Sequence, residues 1–132
     1  MFVSARVDVP RDVLYARLAD LRAHWKLAGP WVEPLELDAD GGVVRLRGPL
    51  GLTRTVRTRL LERVPGERLA GDATVGRTRA NISWTLESAS PATTVTLRAD
   101  VTHATPLDRL VLALGGRRWL ERRFTETLEQ LV

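Results

Sequence analysis

The 132-residue chain contains no cysteine, and its apolar runs are short. The absence of cysteine excludes disulfides and thiolate metal sites, and it fits a reducing compartment. No segment approaches the roughly 18 apolar residues of a membrane span. Arg6 and Asp8 interrupt the N-terminal segment, where a signal peptide would be apolar. We therefore expect a soluble cytoplasmic protein.

The motifs of common catalytic and cofactor-binding sites are also missing. The two histidines, His24 and His103, stand far apart, so there is no HExxH zinc motif. The chain has neither a phosphate-binding P-loop nor a G-x-S-x-G nucleophile elbow. Its carboxylates fall in turns and on the polar faces of predicted strands, not in pairs suited to glycoside chemistry. The sequence thus predicts no metal ion and no cofactor.

The net charge of +4 raises the question of nucleic-acid binding. All basic residues except Lys26 are arginine, a skew that a GC-rich coding bias explains better than phosphate contact does. The arginines are also interleaved with other residues instead of being clustered. Since clustered charge is the expected footprint, we expect no specific nucleic-acid binding.

Hydrophobic periodicity predicts an α+β protein with a single domain, 1–132. Alternation over Phe2–Val9 indicates a strand that ends at Pro10, and apolar residues at helical spacing over Val13–Leu21 indicate a first helix. A second short helix is expected at Arg22–Trp31. From Trp31 onward, turn signals rich in Gly and Pro separate about six strands, each with one polar face.

The polar faces of the central strands are rich in arginine. Because consecutive strands of a meander are neighbours, Arg45, Arg47, Arg57 and Arg59 should lie side by side on the outer face. Arg77 and Arg79 should follow, with Asp72 between as a counter-ion. This surface is interpreted either as a solvated face protected against aggregation or as a site for an acidic protein partner.

A long helix, Pro106–Val132, closes the chain. Thr105 can cap it, and Asp108 lies in its first turn. A helix that follows hairpin-linked strands cannot be a parallel crossover, so it must lie across one face of the antiparallel sheet. Gly115–Gly116 interrupts its apolar stripe and predicts a kink or a hinge.

Several segments carry a resemblance to a known family: Val7–Val13 leading into Leu18–Asp20, Val64–Leu69, and Pro106–Leu110 with Arg122–Phe124 and Leu128. On these segments the chain resembles the START-like, polyketide cyclase/dehydrase type of helix-grip proteins, the SRPBCC superfamily that includes Bet v 1-like proteins. The resemblance implies a curved seven-stranded antiparallel sheet around the long C-terminal helix, with two short helices after the first strand. It also implies a deep apolar cavity, which in such families holds lipids, sterols, quinones or polyketides.

Small residues on the predicted inner face indicate either close approach of the helix or open space, and the resemblance favours space. Trp31 and Trp84 are candidates for the cavity wall, with core packing as the alternative. His103, assigned to the inner face of the last strand, is the candidate general acid or base, or else a satisfied histidine near a strand end. The candidate ligand-binding residues are Trp31, Val56, Thr58, Ile82, Trp84, Ala99, Val101, His103, Leu110 and Leu114.

Two further polar residues have open assignments. Arg54 lies on the same predicted strand face as Val56 and Thr58. It therefore either pairs with the acidic head of a ligand at the mouth of the cavity or extends to water. His24, at the end of the first helix, is expected at the surface.

These patterns predict a carrier or sensor that binds a small hydrophobic ligand: a lipid, a sterol-like molecule, a quinone or a polyketide. The alternative is a polyketide cyclase or aromatase that acts on a ligand in the same cavity, with His103 as proton shuttle.

Overall fold

Seven strands form one antiparallel sheet in the computed structural model, which describes residues 1–20, 24, 31–38, 40–48, 53–89 and 92–131. The order β1-β7-β6-β5-β4-β3-β2 joins chain neighbours from β2 to β7 and adds β1 beside β7. The predicted meander and seven-stranded sheet are therefore confirmed. The strands are β1 (Phe2–Val7), β2 (Val32–Leu37), β3 (Gly41–Arg47), β4 (Thr53–Val64), β5 (Arg68–Val75), β6 (Thr78–Ala89) and β7 (Ala92–His103).

One helix, α1 (Arg11–Ala19), is described between β1 and β2. The second short helix predicted at Arg22–Trp31 lies outside the described residues, except for His24 and Trp31. The closing helix has three parts: α2 (Pro106–Val111), a π-helical turn (Leu112–Gly116) and α3 (Arg117–Glu129).

The closing helix bends at Gly115, as the paired glycines predicted. Gly115 has a φ of 137°, which residues with a side chain rarely adopt. A Cβ on Gly116 would lie 2.9 Å from the carbonyl oxygen of Val111, closer than real Cβ atoms come. The π-helical turn therefore depends on both glycines.

Two clusters of buried apolar side chains form the core. The larger joins α1 and α3 to β1, β5, β6 and β7, with Leu14, Leu18 and Leu128 among its most buried members. The smaller lies on β2 to β5 and consists of Val32, Val44, Val56 and Ala73. No residue of α2 or the π-helical turn belongs to either cluster, so apolar packing does not hold the first half of the closing helix.

The apolar stripe that runs from α2 into the π-helical turn does not join the core, which contradicts the expectation for Leu110. Leu107, Leu110, Val111 and Leu114 are all exposed, Leu114 by 78%. Their spacing places them on one helix face. A different side of α2 carries Asp108, which is bound to the sheet and so directs the stripe to solvent.

Replacing Gly115 by alanine tests the bend, because a bent and a straight helix predict opposite changes in the free energy of unfolding. In a straight helix alanine is favoured over glycine by about 1 kcal/mol, whereas at a sparsely populated positive φ it is strained by about 1–3 kcal/mol. We expect Gly115→Ala to lower the free energy of unfolding in urea by about 1 kcal/mol or more. Gly76→Ala, at φ 58° with open space around its Cβ, is the control and should cost less. A stabilised Gly115→Ala protein would mean that the helix runs straight.

Candidate functional site

A groove of about 830 Å³ opens between the end of β7 and the closing helix. Small-molecule sites typically measure roughly 300–1,000 Å³, so this groove has room for a ligand. It combines apolar side chains with three arginines and one histidine, and no acidic residue lines it within the described chain. The lining is Val101, Thr102, His103, Ala104, Arg109, Leu112, Ala113, Leu114, Gly115, Arg117 and Arg118.

The groove is open because α2 leaves the adjacent inner face of the sheet uncovered. Val101 lies opposite Ala80 and so belongs to that face, yet it is 46% exposed. The preceding inner-face residues of β7, including Leu97 and Ala99, are buried in the larger core cluster. The open space beside the closing helix therefore lies at the end of β7.

The assignment of His103 to the inner face was wrong. Across β6 and β7, Arg79 pairs with His103 while the next residue, Ala80, pairs with Val101. Thr102 is therefore an extra residue, a bulge that shifts the alternation by one position. His103 is exposed, shares the outer face with Arg79 and reaches the groove from the strand end.

A second, smaller cavity of about 80 Å³ lies against the inner face and holds only a few atoms. Three of the predicted ligand-binding residues, Thr58, Ile82 and Trp84, line it. His24 lines it too, with its ring 5.4 Å from Trp84 in an edge-to-face arrangement. The expectation that His24 lies at the surface was therefore wrong, because its partner is on a strand 60 residues later in the chain.

Burial lowers the pKa of His24 from 6.5 to about 4, although a hydrogen bond with the carbonyl of Leu18 acts in the opposite direction. Nδ1 of His24 lies 3.2 Å from that oxygen. Because the imidazole is neutral at physiological pH and a carbonyl only accepts, Nδ1 carries the proton. A neutral imidazole in a small, mostly apolar cavity can orient a ligand oxygen or exchange a proton with it.

A polar cluster fastens α2 to the sheet. The carboxylate of Asp108, a largely buried group, accepts hydrogen bonds from Arg54 of β4 at 2.5 and 3.3 Å and from the Thr78 hydroxyl of β6. Thr105 caps the helix as predicted, since its hydroxyl accepts from the backbone N–H of Asp108 at 3.2 Å. The Arg54 guanidinium holds the pKa of Asp108 below 3.8, with partial burial opposing it and the two threonines assisting.

This cluster answers the open question about Arg54, whose guanidinium pairs within the protein. Sequence reasoning did not find the pair, although Arg54 and Thr78 were both polar residues on the inner parity of their strands. Such residues need a partner on the element that covers that face, and Asp108 is that partner.

The remaining predicted site residues lie in the core or at the surface. Val56 and Ala99 are buried in the two core clusters, and Leu110 is exposed beside the groove without lining it. Trp31 packs against both clusters and against Trp119, with ring centres 5.6 Å apart. Its buried Nε1 has no hydrogen-bond partner among the described residues, so this donor is available to a ligand or water oxygen.

The arginines of the outer face are exposed, as expected. Arg45 and Arg47 approach Glu33 at 3.6 and 3.5 Å, while Arg57 and Arg79 flank Thr74 with no ion pair among the described residues. The acidic partner suggested for this face stays a prediction.

Neither a metal site nor a membrane-spanning helix is found in the described part of the chain. No three side chains with His, Asp or Glu ligands are grouped so as to hold a metal ion. No helix there has both the length and the apolar character needed to cross a bilayer.

Many proteins of different function share the helix-grip architecture, so the fold alone does not identify the family. A match of the sequence to a family model does. A family model described as polyketide cyclase/dehydrase and lipid transport matches residues 2–132. The chain belongs to this family. The resemblance inferred from the sequence segments is thereby confirmed, and a role in binding or cyclising a ligand follows from membership in the polyketide cyclase/dehydrase family.

Solved structures of similar fold come from several bacteria. They include protein Ms6760 of Mycobacterium smegmatis (15% identity, TM-score 0.74, 98% of this chain and 86% of that one). Protein CV1439 of Chromobacterium violaceum has 20% identity and a TM-score of 0.71, over 99% of this chain and 93% of that one. The Zhui aromatase/cyclase of Streptomyces sp. R1128 has 19% identity and a TM-score of 0.69, over 99% and 89%. At these identities the likeness shows the fold alone, and no functionally curated protein matches the chain.

The lowered pKa of His24 predicts how stability depends on pH. The unfolded chain protonates this imidazole near pH 6.5 and the folded chain near 4, so its contribution is complete above pH 6.5 and is lost as the pH falls towards 4. The loss amounts to at most about 3 kcal/mol, at 1.36 kcal/mol per pKa unit. In urea denaturation between pH 7 and 4.5, His24→Phe should flatten this dependence, whereas the exposed control His103→Phe should keep it. An unchanged slope in His24→Phe would show that His24 is not buried as described.

Proposed function

We propose that this protein binds a small apolar molecule with an acidic or strongly polar oxygen group, as a carrier or sensor in the cytoplasm. The ligand classes that fit are lipids, sterol-like molecules, quinones and polyketides. The observation that carries this proposal is the groove beside β7, because it combines sufficient volume with an apolar lining and unpaired positive charge.

Arg109, Arg117 and Arg118 supply that charge. None of them forms an ion pair with a described residue. A guanidinium can donate two parallel hydrogen bonds to a carboxylate, and such charge-assisted bonds are roughly twice as strong as neutral ones. The groove therefore favours an apolar body with an anionic end over a plain hydrocarbon.

The inner cavity is a separate space, because it shares no lining residue with the groove among the described residues. Its 80 Å³ cannot hold a whole ligand, but Thr58 and His24 offer a hydroxyl and a neutral imidazole there.

A polyketide cyclase or aromatase is the second candidate function. It is favoured by the neutral His24 imidazole beside Trp84, which is suited to proton transfer at a ligand carbonyl. Turnover of a poly-β-keto substrate that His24→Phe abolishes and His103→Ala preserves would establish this activity with His24 as the proton shuttle. Binding of that substrate without turnover would favour the carrier.

Filling the groove tests the proposed binding site. Ala113 is exposed and lines the groove, so Ala113→Phe should weaken binding of the fluorescent fatty acid parinaric acid by about tenfold or more, equal to 1.4 kcal/mol. Ala16→Phe, on the exposed side of α1, is the matched control and should bind like the unaltered protein. The methyl ester of parinaric acid should bind more weakly than the acid because it lacks the charge that the arginines contact. Unchanged binding by Ala113→Phe would place the ligand elsewhere.

A further inference from the structure

The exposed apolar stripe of α2 is not explained by ligand binding. Leu107 and Leu110 are 69% and 54% exposed, Val111 is 43% exposed, and of the four only Leu114 lines the groove. Soluble proteins rarely leave such a contiguous set of large apolar side chains uncovered on one helix face without a partner surface.

The charges beside the stripe indicate what covers it. Arg117 and Arg118 follow the stripe after Gly115 and Gly116, whereas Arg109 lies on the opposite side of α2, where it lines the groove. Asp108 is the one acidic residue in the sequence from Thr105 to Leu120, and its carboxylate is neutralised by Arg54. The surface therefore presents apolar side chains with unpaired positive charge at their C-terminal end.

A second copy of this chain is a poor occupant. A symmetric dimer through the stripe would offer Arg117 and Arg118 no free carboxylate from the same segment, because Asp108 is already bound to Arg54. A helix face with apolar residues bordered by arginines is instead the pattern of segments that lie in the surface of an anionic membrane.

We propose that the α2 stripe docks this protein onto an anionic lipid bilayer, with the four apolar side chains entering the interface and Arg117 and Arg118 contacting lipid headgroups. This inference does not rest on the groove's ligand, since it concerns Leu107 and Leu110, which lie outside the groove. Docking would place Leu114, which belongs to both the stripe and the groove lining, at the membrane surface.

Co-sedimentation with vesicles tests the proposal on the full chain. The protein should bind vesicles of phosphatidylcholine mixed with phosphatidylglycerol, should bind phosphatidylcholine alone about tenfold more weakly, and should be released at high salt. The double variant Leu107→Ser, Leu110→Ser should weaken binding to the mixed vesicles by about tenfold or more, because each leucine loses its apolar contact. Arg117→Gln with Arg118→Gln should weaken binding to mixed vesicles and leave the residual binding to phosphatidylcholine unchanged.

Matched control variants show whether binding depends on this surface or on exposed apolar side chains and positive charge anywhere on the protein. Phe2→Ser with Leu61→Ser removes two side chains that are 66% and 62% exposed elsewhere, and Arg6→Gln with Arg17→Gln removes two exposed charges; both variants should bind like the unaltered protein. Because the altered side chains are exposed, the thermal unfolding midpoints should stay close to that of the unaltered protein.

Three outcomes would overturn the proposal. One is equal binding to charged and uncharged vesicles, or no binding to either. Another is a loss of vesicle binding in the control variants equal to the loss in the stripe variants. The third is a dimer or a complex with an acidic protein that the two leucine substitutions abolish while vesicle binding persists.

Discussion

The position of the closing helix depends on the buried carboxylate of Asp108. Arg54 and Thr78 reach it from two strands, and Thr105 fixes the helix end beside it. No side chain of α2 joins the apolar core, so this polar cluster is the main link of α2 to the sheet within the described residues. Hydrogen bonds are directional, unlike apolar packing, and the cluster therefore sets the rotation of α2 as well as its place.

The groove follows from two different kinds of attachment along one helix. α3 is held by Phe124 and Leu128 in the core, whereas α2 is held by charge at its first turn. Between these two attachments the chain bends at Gly115 through a π-helical turn. The bend separates α2 from β7, opens the groove and leaves the apolar stripe facing outward. Under the proposed function, this groove is the space that the ligand occupies.

Much of the fold could be predicted because period-two alternation is a local property. The alternation of β6 predicted which side of the strand carries Trp84, and the capping residues marked the start of the closing helix. The site was harder to predict. Thr102 adds one residue to β7, and nothing in its own sequence distinguishes a bulge from regular pairing, so His103 was assigned to the wrong face. His24 was missed for a related reason, since burial against Trp84 depends on a long-range contact.

The sequence by itself determined the element types, the pairing of consecutive strands from β2 to β7 and the point at which the closing helix breaks. These features depend on side-chain period, turn residues and backbone freedom, which act over a few neighbouring residues. Tertiary structure alone decided the pairing of Arg54 with Asp108, the burial of His24 and the outward face of the α2 stripe. Each of these depends on contacts between residues far apart in the chain, and such contacts form only when sheet and helix pack together.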